Sequence, residues 1–158
     1  RRRGTIVNIS SVSGVMPTPF AGAYCASKAA LNALSDSLRM ELRPLGIDVV
    51  TVQPGGIQSS FGERAADEVQ MAPDSPYQAI RSGVLARANE SQADATPADV
   101  FASDLVQQLK RGNPPAVIRI GKKSSLLPML KQWLPTGLLD SVLSKRFELN
   151  RLLPGKAR

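Results

Sequence analysis

Histidine is absent from these 158 residues, and Cys25 is the single cysteine. Without histidine, serine hydrolysis by a Ser-His-Asp triad is excluded. With one thiol, a zinc site of the usual ligand set is not expected, and no metal is assigned. A lone cysteine also excludes an intramolecular disulfide framework and suits a reducing, cytoplasmic setting. Aromatics are scarce at 4%. No apolar run approaches the roughly 18–20 residues that span a bilayer. Arg1-Arg2-Arg3-Gly4 runs at once into a strand-like segment, so no signal peptide is expected. Acidic residues are the minority, 13 against 20 Lys and Arg, for a net charge of +7. Such an excess can draw nucleic acid, anionic lipid or a phosphorylated ligand. Three arginines open the chain and most of the other cations follow Lys110, with no basic stripe interleaved with aromatics, so nucleic-acid binding is not expected.

What remains is ordinary for a soluble domain: 42% hydrophobic and 21% charged residues, with 12 Gly and 12 Pro. The length suits about one domain with a real core. Thr5 to Ser10 is a β-branched, near-continuous apolar run, read as a buried parallel strand. From about Phe20 to Arg43 the period turns helical, with Leu31, Leu34, Leu38 and Leu42 three or four apart, until Pro44 and Gly46 stop it. Ile47 to Gln53 reads as a second strand, closed by Pro54-Gly55-Gly56. Strand, long helix, strand is a right-handed βαβ unit. Residues 59–92 form a polar, alanine-rich excursion with one or two short helices. Thr96-Pro97-Ala98-Asp99 opens a helix with Thr96 as its cap, running to about Arg111. Ala116 to Ile120 is a third strand, and two short amphipathic segments follow between Leu126 and Leu153. The fold class is therefore α/β, a partial Rossmann-like doubly wound parallel sheet of about three strands with flanking helices. Residues 1–121 form its body and 122–158 a basic amphipathic helical tail.

Tyr24 and Lys28 stand one helical turn apart, within roughly 40° on one face, and Leu31, Leu38 and Leu42 share that face. A lysine on a buried face needs a partner or a polar cavity. The bland alternative is a lysine that snorkels to solvent, and the Y-x-x-x-K spacing alone is weak. Context raises it. Ser11 closes the first strand and Pro54-Gly55-Gly56 closes the second, and ligands of open α/β sheets gather at the carboxyl ends of strands. Ser11 as a plain turn residue and Pro54-Gly55 as a plain strand terminator are the competing readings. A free tyrosine holds its proton to about pH 10, and an ammonium one turn away favours the phenolate. Tyr24 then suits general acid–base work on a hydroxyl/carbonyl pair, with Ser11 holding the same oxygen. No side chain accepts a hydride, so a cofactor must.

Asn8-Ile9-Ser10-Ser11-Val12-Ser13-Gly14, Tyr24-Cys25-Ala26-Ser27-Lys28 and Pro54-Gly55-Gly56-Ile57-Gln58-Ser59 resemble, in order and spacing, the second half of a short-chain dehydrogenase/reductase. The resemblance is firm from Gly4 to about Ser60 and loose to Ile120. It implies that Tyr24 is the catalytic acid–base and also contacts the cofactor, that Lys28 favours its phenolate and hydrogen-bonds the nicotinamide ribose, and that Ser11 orients the substrate oxygen. It further implies that Pro54, Gly55 and Ile57 lie against the nicotinamide of NAD or NADP. Ser59 replaces the family's more usual threonine, and Asn8 is structural. Residues 60–92 match the variable substrate lid. By impression the nearest members act on steroid, retinoid or lipid-linked alcohols and ketones, which implies a small apolar substrate and a homo-oligomer in the full-length protein.

The family's glycine-rich cofactor loop, its NAD/NADP-selecting residue and a further catalytic asparagine have no counterpart here. The chain is therefore expected to be a truncated product or a fragment lacking the N-terminal half of the fold, weak or inactive alone, with Thr5–Ser10 as an unprotected sheet edge prone to aggregation. Two other readings stay open: a non-catalytic interaction module that binds a partner through that edge and the basic tail, and a tail that lies on a membrane surface as a peripheral contact, against the favoured reading that its helices cap the lower end of the sheet or line the substrate entrance.

Overall fold

In the computed structural model, which describes residues 3–152, the β-branched run Gly4–Ile9 forms β1 and Ile47–Val52 forms β2. They pair in parallel with Gly4 opposite Ile47 and Ile9 opposite Val52. Parallel pairing requires a crossover, and α1 (Gly22–Leu42) supplies it. Helix α1 gives way to a 3₁₀ turn at Arg43–Leu45, and Gly46, at φ 73°, reverses the chain into β2. That left-handed conformation suits glycine and would strain any larger residue. A third parallel strand, β3 (Val117–Ile118), pairs on the other side of β2, giving the order β1-β2-β3. Proline and glycine at 112–115 precede β3, whose strand is shorter than the expected Ala116–Ile120, although the Ala116 and Ile120 carbonyls still accept from Thr51 and Gly55 on either side of it.

The excursion after β2 holds α2 (Phe61–Asp67) and α3 (Arg81–Asn89), with 3₁₀ turns at Pro76–Ile80 and Glu90–Gln92. Helix α4 (Ala98–Leu109) follows. Its N-cap is Pro97, with no side-chain cap, instead of the expected Thr96. Thr96 is drawn away because its backbone bridges Ile57 and its N–H donates to the Gly56 carbonyl. Two further helices, α5 (Leu126–Trp133) and α6 (Thr136–Arg146), complete the described chain, with Leu149–Leu152 as a last 3₁₀ turn.

Alternation along β2 explains the layers. Val50 and Val52 join Ile118 and Ile120 in a buried cluster that Phe101, Leu105 and Leu109 of α4 cover. On the opposite face Asn8 donates to Ser35 of α1 at 2.9 Å, and Ser35 is buried. β2 is thus enclosed on both sides. β1 is not the buried strand its composition suggests. Ile6 and Ile9 are 39% and 46% exposed, because β1 is the sheet edge and no strand among the described residues pairs on its outer side. An open apolar edge templates further pairing. The purified chain is expected to self-associate as its concentration rises, and Ile6→Lys should suppress this, with light scattering as the readout. The segment after residue 121 is tied to the body: Arg146 pairs with Glu90 at 2.6 Å, and Phe147 is buried with its carbonyl against Gly83.

Candidate active site

The carboxyl ends of β1 and β2 and the first turns of α1 meet at one place. Helix α1 turns its less exposed stripe, with Tyr24, Lys28, Leu31, Ser35, Leu38 and Leu42, toward the sheet. Leu34 lies about 80° off that stripe and is exposed. Lys28 finds the partner its position demands, since its ammonium donates to the Ile9 carbonyl at 3.1 Å. The backbone is tied there too, with Ser10 Oγ donating to the Lys28 carbonyl at 3.1 Å. The 3₁₀ turn Val12–Gly14 presses on the same helical turn. A Cβ on Gly14 would stand 2.7 Å from the Lys28 carbonyl carbon, so only glycine allows the approach. Ser11, buried between them, accepts the Ser13 N–H at 3.1 Å and so caps this turn. That is the bland role, and it leaves the hydroxyl hydrogen free to donate.

Lys28 Nζ lies 5.8 Å from the centre of the Tyr24 ring. Tyr24 also packs obliquely against Phe61 of α2, ring centres 5.3 Å apart. Phe61 brings in the loop after β2, because its N–H donates to Ser59 Oγ at 3.4 Å. Pro54 closes the circle by accepting the Val12 N–H at 3.1 Å. Ser11, Tyr24, Lys28, Pro54 and Ser59 are therefore linked through intermediaries: Val12 reaches Pro54, Gly14 presses on Lys28, and Phe61 joins Tyr24 to Ser59. Gly55 serves another neighbour: a Cβ there would fall 2.0 Å from the Lys122 carbonyl oxygen, and its own N–H donates to Ile120. Ile57 pairs with Thr96.

Two residues at this rim carry no sequence signal. Phe61 is one of four phenylalanines with no motif around it. Gln92, in the turn ending the excursion, clamps the 57–59 loop. Its Oε1 accepts the Ser59 N–H at 2.9 Å, and its Nε2 donates to the Ile57 carbonyl at 3.3 Å. The contact crosses 33 residues, which no local pattern reveals. Gln92→Leu is expected to free the Ser59 amide and speed its hydrogen exchange by about tenfold, measured by mass spectrometry or NMR. Beside the clamp, Lys122 hydrogen-bonds Asp94, and that bond, followed by the attraction of the charge, holds the Asp94 carboxyl below its ordinary value. A depressed carboxylate stabilises the fold above the usual carboxylate range and loses that contribution as pH falls. Asp94 is fully exposed, so the effect is small.

A cavity of about 380 Å³ opens between the loop before α1 and the excursion, lined by Phe20, Val69, Met71, Tyr77 and Val84 with Glu68 at its side. Phe20 and Tyr77 meet edge to face at 5.9 Å. Among the described residues no group of three or more Cys, Asp or Glu is placed to hold a metal. The polar groups fit a hydroxyl-rich ligand instead. Of the three donors on the Lys28 ammonium, the structure engages one, and the Ser11 hydroxyl keeps its proton for donation.

The Tyr–Lys pair stands at the carboxyl ends of an open parallel sheet, where such sheets gather their ligands. Residues 1–70 match the sequence model of the family described as short chain dehydrogenase. A short-chain dehydrogenase of Talaromyces islandicus is 33% identical over 154 residues, covering 96% of this chain and 54% of that protein. The NADPH-dependent 1-acyldihydroxyacetone phosphate reductase of Saccharomyces cerevisiae is 26% identical over 155 residues, 96% of this chain and 51% of that protein. The crystal structure of a short-chain dehydrogenase from Streptomyces avermitilis superposes with a TM-score of 0.63 at 25% identity, over 96% of this chain and 52% of that one. The chain is thus similar to short-chain dehydrogenases, by the family model over residues 1–70 and by these relatives over most of its length. The chain spans about half the length of the curated relatives it matches.

Proposed function

We propose that the whole protein interconverts an alcohol and a ketone or aldehyde with NAD or NADP, and that these residues supply its catalytic rim and the nicotinamide end of its cofactor site. The observation that carries the reading is the Tyr24–Lys28 pair, with the ammonium anchored on the Ile9 carbonyl beside Ser11. Bound there, the dinucleotide would supply or accept the hydride that no side chain can. Tyr24 gives its phenolic proton to the carbonyl oxygen in reduction and takes it back in oxidation. Lys28 has donors left for a ribose hydroxyl. Ser11 donates to the reacting oxygen, where negative charge develops. Pro54, Gly55 and Ile57 wall the nicotinamide side, and Ser59, fixed by Gln92, offers its hydroxyl to the carboxamide. Because Gly55 turns its Cβ side to Lys122, it contributes by keeping the loop close to the body.

The mainly apolar cavity between the loop before α1 and the excursion supports an apolar substrate, with Phe20, Met71 and Tyr77 as the side chains that would touch it. The yeast relative, named for an acylated phosphate, supports a lipid-linked alcohol or ketone. The test is dinucleotide-dependent reduction of a panel of long-chain ketones by the whole protein, with Tyr24→Phe as the control. Oxidation of NADH or NADPH that needs both ketone and Tyr24 supports the proposal. Absence of any such turnover across the panel, together with absence of dinucleotide binding, sinks it.

A further inference from the structure

Phe20 is the one aromatic among the four non-glycine residues with a positive φ in the described chain, and its φ is 61°. A bulky side chain rarely takes the left-handed region, and it stays there only where its surroundings hold it. Pro17 and Pro19 fix φ on both sides of Thr18 and leave the approach to Phe20 little freedom. Arg87 of α3 donates through Nε to the Thr18 hydroxyl, which ties this loop to the excursion. The Phe20 ring then meets the Tyr77 ring edge to face, with centres 5.9 Å apart. Strained residues of this kind gather at ligand clamps, and both rings line the cavity of about 380 Å³. They are 38% and 45% exposed, so they stand at its opening.

The wall that carries Tyr77 is held from behind. Ser75 caps its 3₁₀ turn by accepting the Tyr77 N–H at 3.3 Å, and Ile80, at the end of that turn, is fully buried. Gly83, next to the cavity residue Val84, lies against Phe147: a Cβ there would stand 2.3 Å from the Phe147 carbonyl oxygen. Ser82 donates to Glu148 at 2.9 Å. The segment after residue 121 therefore braces the excursion, while the prolines and Arg87 brace the facing loop. A cavity whose two walls are braced and joined by a ring pair widens only if that pair parts. Its volume of about 380 Å³ is near the lower end of the range of ligand sites. A straight chain can bend to fit such a space, and the unbranched Met71 side chain adapts to it. A rigid fused-ring skeleton cannot bend, and its entry would separate Phe20 from Tyr77.

Taking this cavity as the substrate site of the proposed oxidoreductase, we infer that Phe20 and Tyr77 make it selective for straight-chain ketones and alcohols over fused-ring ones of equal carbon number. The selectivity rests on that reading of the cavity and chooses among the apolar classes it leaves open. The test is calorimetric binding of decanone and decalone, a straight-chain and a fused-ring ketone of equal carbon number, to the whole protein without dinucleotide. Decanone should bind about tenfold more tightly than decalone, or better. Phe20→Gly removes one ring while glycine keeps the left-handed backbone without strain, and Tyr77→Ala removes the other. Each should raise decalone affinity and bring the two ketones to within about threefold of each other, with decanone affinity changed less. Circular dichroism checks the fold of both variants. Equal affinity of the two ketones for the wild type overturns the inference. So does a preference that survives both substitutions, or binding of neither ketone. Turnover of the ketone panel with unselective binding sinks only this inference. Selective binding without turnover or dinucleotide binding sinks the enzymatic proposal and leaves the selectivity of the cavity standing.

Discussion

Tyr24→Phe is expected to lower kcat/KM for carbonyl reduction by about a hundred- to ten-thousandfold, the usual worth of a placed general acid–base. Dinucleotide affinity should fall far less, by about tenfold at most, the worth of the one hydrogen bond the hydroxyl would make to the ribose. The substitution keeps the ring that stacks on Phe61 at 5.3 Å and removes only the hydroxyl, so the helix and the excursion stay in register. Steady-state kinetics and a dinucleotide titration of the same preparation separate the two quantities. An unchanged kcat/KM would mean that another group moves the proton. Unchanged binding to a protein partner with no turnover in either form would favour the interaction-module reading. Lys28→Met should behave differently, lowering both terms, because Lys28 also anchors α1 to the end of β1 through Ile9.

The largest structural effect is expected at Gly55. A methyl group there would stand 2.0 Å from the Lys122 carbonyl oxygen and 3.0 Å from the Ser124 nitrogen, and both are backbone atoms that cannot rotate aside. Either the loop after β2 lifts or the strand end after β3 retreats, and the Gly55–Ile120 and Gly56–Lys122 hydrogen bonds weaken with it. Overpacking of this kind costs about 3 kcal/mol. For a domain of this size that lowers Tm by roughly 6–12 °C, measured by thermal denaturation. Gly137→Ala is the matched control. It lies in α6 with nothing within 4 Å of the added Cβ, and should be neutral or slightly stabilising. Equal Tm values for the two variants would show that the Gly55 contact relaxes freely.

The comparison of Gly55 with Tyr24 shows how much of this molecule its sequence displays. Tyr24, Lys28 and Ser11 sit on a βαβ unit whose periodicity and stop signals are local, so both the elements and the shared rim are legible. The elements themselves differ from expectation by no more than two residues at either end. Gly55 is visible as a loop residue, but its reason is the Lys122 backbone, 67 positions away, which no motif encodes. Thr96 shows the same limit. Its residue type and the following proline announce a cap, yet long-range pairing with Gly56 and Ile57 takes its backbone elsewhere. Gln92 and Phe61 are silent for the same reason, since their partners are brought close only by the folded excursion. β1 shows the converse: its composition says buried, but exposure is set by whether a neighbouring strand is present.

The most direct measurement is a crystal structure of the whole protein with NADH or NADPH bound. The nicotinamide end should lie at the carboxyl ends of β1 and β2, with the Lys28 ammonium and the Tyr24 hydroxyl within about 3.2 Å of ribose oxygens and Ser59 facing the carboxamide. A dinucleotide seated away from that rim, or a Lys28 turned to bulk solvent while the site is filled, would contradict the assignment of Tyr24 and Lys28 to carbonyl–alcohol chemistry.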